Sequence, residues 1–188
     1  MVAGKGKVKF MEFVYWMIGI LFLLILTIGT IIIVKKQRKI KRNNDIIKLF
    51  SMACRKKGIT EYKLEHVKKD THDFYFESEH NIYYIKMIYN FGNQEICINN
   101  AIKWQLRKYN AKQEHMTFVE GVEPLMRLDL TNPNKKEHKL FIVYPNTRAL
   151  LKVINECEMV FVYPDTDVYG SRVIPYKKLY DNLDLLEL

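Results

Sequence analysis

The distribution of apolar and polar positions divides the chain into three stretches of different character. The first is Phe13 to Val34, FVYWMIGILFLLILTIGTIIIV, twenty-two residues without a charge. At about 1.5 Å per residue such a helix is about 33 Å long, against a hydrocarbon core of about 30 Å, so it can cross a bilayer once. Fifteen of the twenty-two are Leu, Ile, Val or Phe, and each favours insertion by about 0.3 to 0.6 kcal/mol near the helix centre. A cleaved signal peptide has a shorter apolar region and a small-residue cleavage site; this run has neither and stops at a basic block. A buried core helix is the poorer reading, because the remaining chain is too small to wrap a uniformly apolar rod. Residues 1–12 are then a short tail, 13–34 a transmembrane helix, 35–44 a basic juxtamembrane linker, and 45–188 a domain.

In the third stretch the periodicity changes repeatedly. Asp45 can cap a helix carrying Ile46, Ile47, Leu49, Phe50 and Ala53, with Gly58 as its stop. A short strand is expected around Tyr62 to Val67. Asp73 to Glu79 and Ile82 to Tyr89 alternate, with His80 and Asn81 between them as a hairpin loop. With Glu79 facing Ile82, Phe76 meets Ile85 and Phe74 meets Met87, so one face is apolar. A second turn at Asn90 to Asn93 brings Ile96 and Ile98 opposite Met87 and Ile85, which makes a three-stranded meander. Asn99 or Asn100 then caps a short helix with Ile102, Trp104 and Leu106, a further strand through Trp104 being the alternative. Pro124 and the run 131–137 mark loops around short elements near Phe118 and Leu125 to Leu130.

The clearest supersecondary pattern lies in the last third of the chain. Leu140 to Tyr144 is an unbroken apolar run, Thr147 to Cys157 reads as helical, and Met159 to Tyr163 is apolar again. Strand, helix, strand predicts a βαβ unit with parallel strands, with Leu150, Leu151, Val153 and Ile154 lying on the sheet. A strand through Val173 and Ile174 and a terminal helix, Tyr176 to Leu186, complete the domain, the latter with Leu179, Leu183 and Leu186 inward. The predicted fold class is a single N-terminal transmembrane helix followed by an α/β (α+β) domain, an antiparallel meander plus a βαβ unit with helices packed on the sheet.

Charge changes this picture by its location. Residues 1–44 hold nine basic residues and one acid, while 45–188 hold twenty-one basic and twenty acidic. The overall charge of +9 therefore describes the membrane flanks, and the domain lacks the basic footprint that nucleic-acid binding normally leaves. Lys5, Lys7 and Lys9 precede the span; Lys35, Lys36, Arg38, Lys39, Lys41 and Arg42 come after it. Basic residues near a span are retained on the cytoplasmic side, so six against three predicts a cell-membrane protein with its C-terminal domain in the cytoplasm. Residues 35–42 can also attract anionic lipid, although a stop-transfer flank is the simpler role. Cys54, Cys97 and Cys157 are odd in number and far apart, without C-x-x-C, which agrees with a reducing compartment. Five scattered histidines show no metal-ligand spacing, so neither a metal nor another cofactor is expected. Heavy use of Lys, Ile, Asn and Tyr suggests an AT-rich, bacterial coding genome.

Two constellations are candidate sites. The phrases Val143-Tyr144-Pro145-Asn146-Thr147 and Val162-Tyr163-Pro164-Asp165-Thr166 each end one of the two expected parallel strands. Ligands in open α/β sheets bind at that carboxyl edge, where Asn146, Thr147, Arg148, Asp165, Thr166, Asp167, Tyr169 and Arg172 would converge. The competing reading is that proline ends strands and Asn or Thr caps the next helix. The second constellation is the polar face of the hairpin, where Lys86 is expected opposite Tyr75 with Asp73 and Glu77 as diagonal neighbours. Two carboxylates and a lysine can hold a divalent metal and orient a water; a solvated face of weak ion pairs is the simpler reading.

The order helix, meander, helix, strand, together with Tyr84-Ile85-Lys86 near a strand end, resembles the core of the restriction-endonuclease-like (PD-(D/E)xK) superfamily over residues 45–144. That resemblance implies a Mg²⁺-dependent nuclease with Asp73, Glu77 and Lys86 at its centre. The motif's second carboxylate is missing and no Pro-Asp precedes it, which implies an inactive relative. The favoured expectation is a membrane-anchored interaction or ligand-binding module with a protein or small-molecule partner; a tethered nuclease or its degenerate descendant is the alternative.

Overall fold

The computed structural model describes residues 4–67, 71–90, 94–101, 104–110, 115–122, 132–155 and 158–187, with backbone alone for 4–14, 108–110 and 115–122. The chain divides into two compact units, Met1–Ile46 and Ile47–Leu188. A helix, α1, runs over Gly4–Lys56. Neither proline nor glycine interrupts residues 35–44, and Lys, Arg and Gln are good helix formers. The expected linker is therefore helical, and Asp45 lies inside a helix rather than capping one. The stop at Gly58 is as expected. Gly58 has a φ of 70°, its N–H donates to Arg55 O, and the Ile59 N–H donates to Cys54 O, the paired bonds of a left-handed helix terminus.

In the first unit, α1 is long and apolar enough to cross a membrane. Its large apolar side chains are exposed, Trp16 to 75% and Phe22 to 61%. The hydroxyls of Thr27 and Thr30 donate to Leu24 O and Thr27 O, each at 2.8 Å, so both polar groups are satisfied within the helix.

The second unit is built on two sheets. Its strands are β1 (Lys63–His66), β2 (Phe74–Glu77), β3 (Asn81–Tyr89), β4 (Glu95–Ile98), β5 (Trp104–Asn110), β6 (His115–Val122), β7 (Lys136–Tyr144), β8 (Leu150–Asn155), β9 (Glu158–Phe161) and β10 (Ser171–Pro175). Among the described residues they form two five-stranded sheets, β1-β2-β3-β7-β10 and β6-β5-β4-β8-β9. In the first sheet β1, β2 and β3 are antiparallel, while β3, β7 and β10 are parallel. Parallel neighbours need a long crossover, and here both crossovers pass through the second sheet. The first contributes β4, β5 and β6, the second the β8–β9 hairpin, and parallel pairing of β4 with β8 joins them.

One face of the first sheet carries Phe74, Phe76, Ile85, Met87, Leu140, Ile142 and Ile174, all buried. Phe50 of α1 packs there, 5.8 Å from the Phe76 ring. So do α2 (Tyr176–Leu179) and a 3₁₀ helix (Tyr180–Leu185), with Leu179, Leu183 and Leu186 buried as expected. The opposite face meets the second sheet through Ile88, Phe141, Val143 and Val173 on one side and Ile96, Ile98, Trp104, Leu106 and Leu150 on the other. The Trp104 and Phe141 rings are 4.9 Å apart.

Several sequence expectations are corrected by this architecture. The hairpin pairs Phe74 with Ile85, Phe76 with Tyr83 and Glu77 with Ile82, two residues off the expected register. A slip of two preserves the faces, because side chains alternate with period two, so the apolar pattern alone did not distinguish the registers. The meander is β1-β2-β3; β4 leaves for the second sheet instead of pairing with β3. The segment opening at Trp104 is a strand, the alternative reading, and Phe118 lies in β6. Ile102, Cys157, Leu125 to Leu130 and residues 91–93 lie outside the described residues. The βαβ unit is absent: Leu150–Asn155 is a strand, antiparallel to Glu158–Phe161. A short apolar run with β-branched Val153 and Ile154 suits either element, and the open position beside β4 decided it.

Candidate functional site

Both Tyr-Pro turns leave their strands as expected, yet they do not form a shared sheet edge. Tyr144 ends β7 in the first sheet, whereas Tyr163 comes after β9 in the second. The convergent carboxyl edge is thus overturned, since the connection between these strands is itself a strand in another sheet. Thr147 is buried, its Oγ1 2.7 Å from Gln94 O and 2.9 Å from Ala149 O. Beside it, Asn90 Nδ2 donates to Gln94 O at 2.8 Å and the Gln94 N–H donates to Asn90 Oδ1 at 3.0 Å. Neighbouring parallel strands β3 and β7 cross here to become neighbouring parallel strands β4 and β8, and these side chains tie the two crossings together. Thr147 is part of that tie.

The other members of the set are dispersed. Thr147 and Arg148 line a cavity of about 100 Å³ with Tyr163, Pro164 and Lys178. The exposed Arg148 side chain has its Nε 3.8 Å from Glu95 Oε1. Asn146 is half-buried in the first turn and Asp165 exposed in the second. Thr166 Oγ1 accepts from the Tyr163 N–H at 3.0 Å, and Asp167 Oδ2 accepts from the Gly170 N–H at 3.1 Å. These two side chains satisfy backbone N–H groups of their own loop, which leads into β10 and not into a helix that they could cap. Tyr169 has a φ of 53°, and its ring lies under Lys152 Nζ at 4.6 Å. Arg172 pairs with Leu140 on the helix-covered face of the first sheet, and its guanidinium donates to Leu185 O.

The hairpin face is a polar surface with a different membership from the expected one. Glu77 Oε1 accepts from Lys135 Nζ at 2.7 Å and Glu77 Oε2 from the Tyr75 hydroxyl at 2.8 Å. Lys135, followed by Tyr75, holds the Glu77 carboxyl below its ordinary range. Burial, then the bond to Glu77, pushes the Tyr75 hydroxyl well above its ordinary value. Tyr84 donates to Glu137 Oε1 at 2.6 Å; burial, then that bond, pushes it up to about 12. The Tyr75 and Tyr84 rings are 5.7 Å apart, and the His72 ring is 5.1 Å from Tyr84.

Of the expected catalytic set, Asp73 brackets Lys86 on the backbone: its N–H donates to Ile85 O and its Oδ2 accepts from the Met87 N–H, both at 2.8 Å. Glu77 lies four residues away, about 13 Å in extended chain, so two carboxylates do not flank Lys86. Among the described residues no group of three His, Cys, Asp or Glu side chains is placed to hold a metal ion.

Glu77 instead borders a polar cleft of about 480 Å³ between Gly58–Lys63 and the turn Ser78–His80, with Lys135 at one wall. Sequence reasoning missed Lys135, Tyr75, Tyr84 and Glu137 as partners. The charges near Lys135 read as a loop, whereas β7 begins at Lys136 and extends four residues ahead of its apolar run. The available signal was Glu137 at the alternating position two residues before Lys139.

Among the described residues β9 is an edge of the second sheet, and it is a further surface. Every residue of β9 is exposed, Met159 to 47% and Phe161 to 62%. Val162 N–H donates to Leu150 O and Val160 pairs with Lys152. Alternation therefore turns Val160 toward β8 and the backbone groups of Met159 and Phe161 toward the open side. Arg107 Nη1 lies 3.1 Å from Met159 Sδ. Compared with family models, with curated proteins and with solved structures, the chain matches none.

Proposed function

We propose that this chain is a single-pass membrane protein whose two-sheet unit works in the cytoplasm as an interaction module, receiving a partner strand along β9. The observation that carries the reading is an edge strand with outward backbone groups and three apolar side chains exposed. Added strands gain affinity from main-chain hydrogen bonds and specificity from alternate side chains. Met159 and Phe161 would supply the latter. The apolar span supplies location, and six basic residues after it against three before it support the inward orientation.

A photo-crosslinking residue in place of Phe161, in the full chain in cells, should give one discrete adduct, while the same residue in place of exposed Glu79 gives none. A smear, or identical adducts at both positions, would overturn the edge reading. Protease added to intact cells should leave the C-terminal unit untouched; its digestion would reverse the orientation. Because Asp73 and Glu77 do not flank Lys86, no geometry favours the nuclease alternative.

A further inference from the structure

The six basic residues after the span lie on α1 itself, so their angular positions are fixed. At about 100° per residue, Lys35, Arg38 and Lys39 fall on one face within an arc of about 100°. Half-buried Arg42 lies in the same line one turn further. Lys36 and Lys41 flank this face on either side, and Ile40 and Gln37 lie opposite. Lys35, Arg38 and Lys39 are all exposed. Among the described residues none of the three is within ion-pair distance of an acidic side chain. Residues spaced i, i+3 and i+4 on a helix have neighbouring Cβ atoms about 5 to 6 Å apart, close enough for three cations to share one phosphate diester. They sit within two turns of Val34, at the depth where the apolar run ends and headgroups begin.

We propose that Lys35, Arg38 and Lys39 form a one-sided binding site for the phosphate of an anionic phospholipid. The inference rests on the membrane reading of the span, and it adds a preferred lipid class and a preferred side of the helix. Arg38 supplies planar, forked donors that match phosphate geometry, and the two lysines add point charges on either side. A generic cationic collar would instead attract anionic lipid in proportion to total charge.

The test uses the full chain reconstituted in phosphatidylcholine vesicles containing phosphatidylglycerol. Spin-labelled forms of the two lipids report which one is motionally restricted at the protein. The parent should prefer phosphatidylglycerol by about fivefold, the equivalent of about 1 kcal/mol. Lys35→Gln, Arg38→Gln and Lys39→Gln together should remove most of that preference, while Lys36→Gln with Lys41→Gln should leave most of it. A parent that shows no preference, or losses that track only the number of charges removed, overturns the site. So does loss of the preference on adding inorganic phosphate but not chloride at equal ionic strength, which would mark a free-anion site. If the triple variant fails to float with vesicles, the single Arg38→Gln variant carries the same reading with a smaller loss. A parent chain that does not float at all defeats the membrane reading itself, and the lipid site with it.

Discussion

The two sheets end in different kinds of edge, and the difference separates what folds this protein from what its surface is free to do. The first sheet ends in β1, Lys-Leu-Glu-His, where Lys63 Nζ and Glu65 Oε2 lie 3.2 Å apart. Mixed charge on an edge strand discourages pairing with other chains. The second ends in β9, Glu-Met-Val-Phe, exposed along its length and carrying a single charge. An apolar open edge invites a strand. The contrast is not one of core quality, since each sheet contributes fully buried residues to the layer between them.

The comparison breaks most severely where both sheets depend on one side chain. Trp104 is 1% exposed and lies against Phe141, so Trp104→Ala should cost about 3 to 5 kcal/mol, read as a lower denaturant midpoint. Next in size is the tie at the crossing point. Asn90→Ala removes both side-chain bonds to Gln94 in a site that is 1% exposed and should cost about 1 to 3 kcal/mol. That loss should exceed the loss for a substitution in the β8–β9 hairpin.

The polar face beside β1 contributes less. Glu77 has a depressed carboxyl pKa in the folded state, so its contribution is present above the unfolded value, about 4.3, and is lost as pH falls through the folded value. Both partners are partly exposed, which keeps the effect under about 1 kcal/mol. Lys135→Met should flatten the acid limb of stability against pH, and an unchanged limb would show that the pair contributes nothing.

The smallest effect on stability is expected at this edge, where Met159→Lys should change it by less than about 0.5 kcal/mol while abolishing the crosslink from position 161. The converse, Lys63→Val with Glu65→Val, removes the charges that protect β1 and should make the full chain self-associate in detergent. Sedimentation would read this directly.

Local chemistry was legible wherever one residue or one short pattern sufficed. The long apolar helix follows from an uncharged apolar run, the end of α1 from Gly58, the hairpin faces from alternation, and the inward leucines of the terminal helices from their spacing. The candidate sites were far less legible. Thr147, Thr166 and Asp167 were noticed for their chemistry, but their partners are backbone groups of the turns and crossings around them. Lys135 and Glu137 went unnoticed because their partners, Glu77 and Tyr84, are more than fifty residues away.

What the sequence determined by itself was which segments are apolar, where α1 stops and which residues share a face. Tertiary structure alone decided that β3 pairs with β7, that β4 pairs with β8, and that Leu150–Asn155 is extended. The physical reason is that alternation specifies a strand's two faces without naming its neighbour. A run such as Leu-Leu-Lys-Val-Ile lies close to balance between helix and strand until a sheet offers it hydrogen-bond partners.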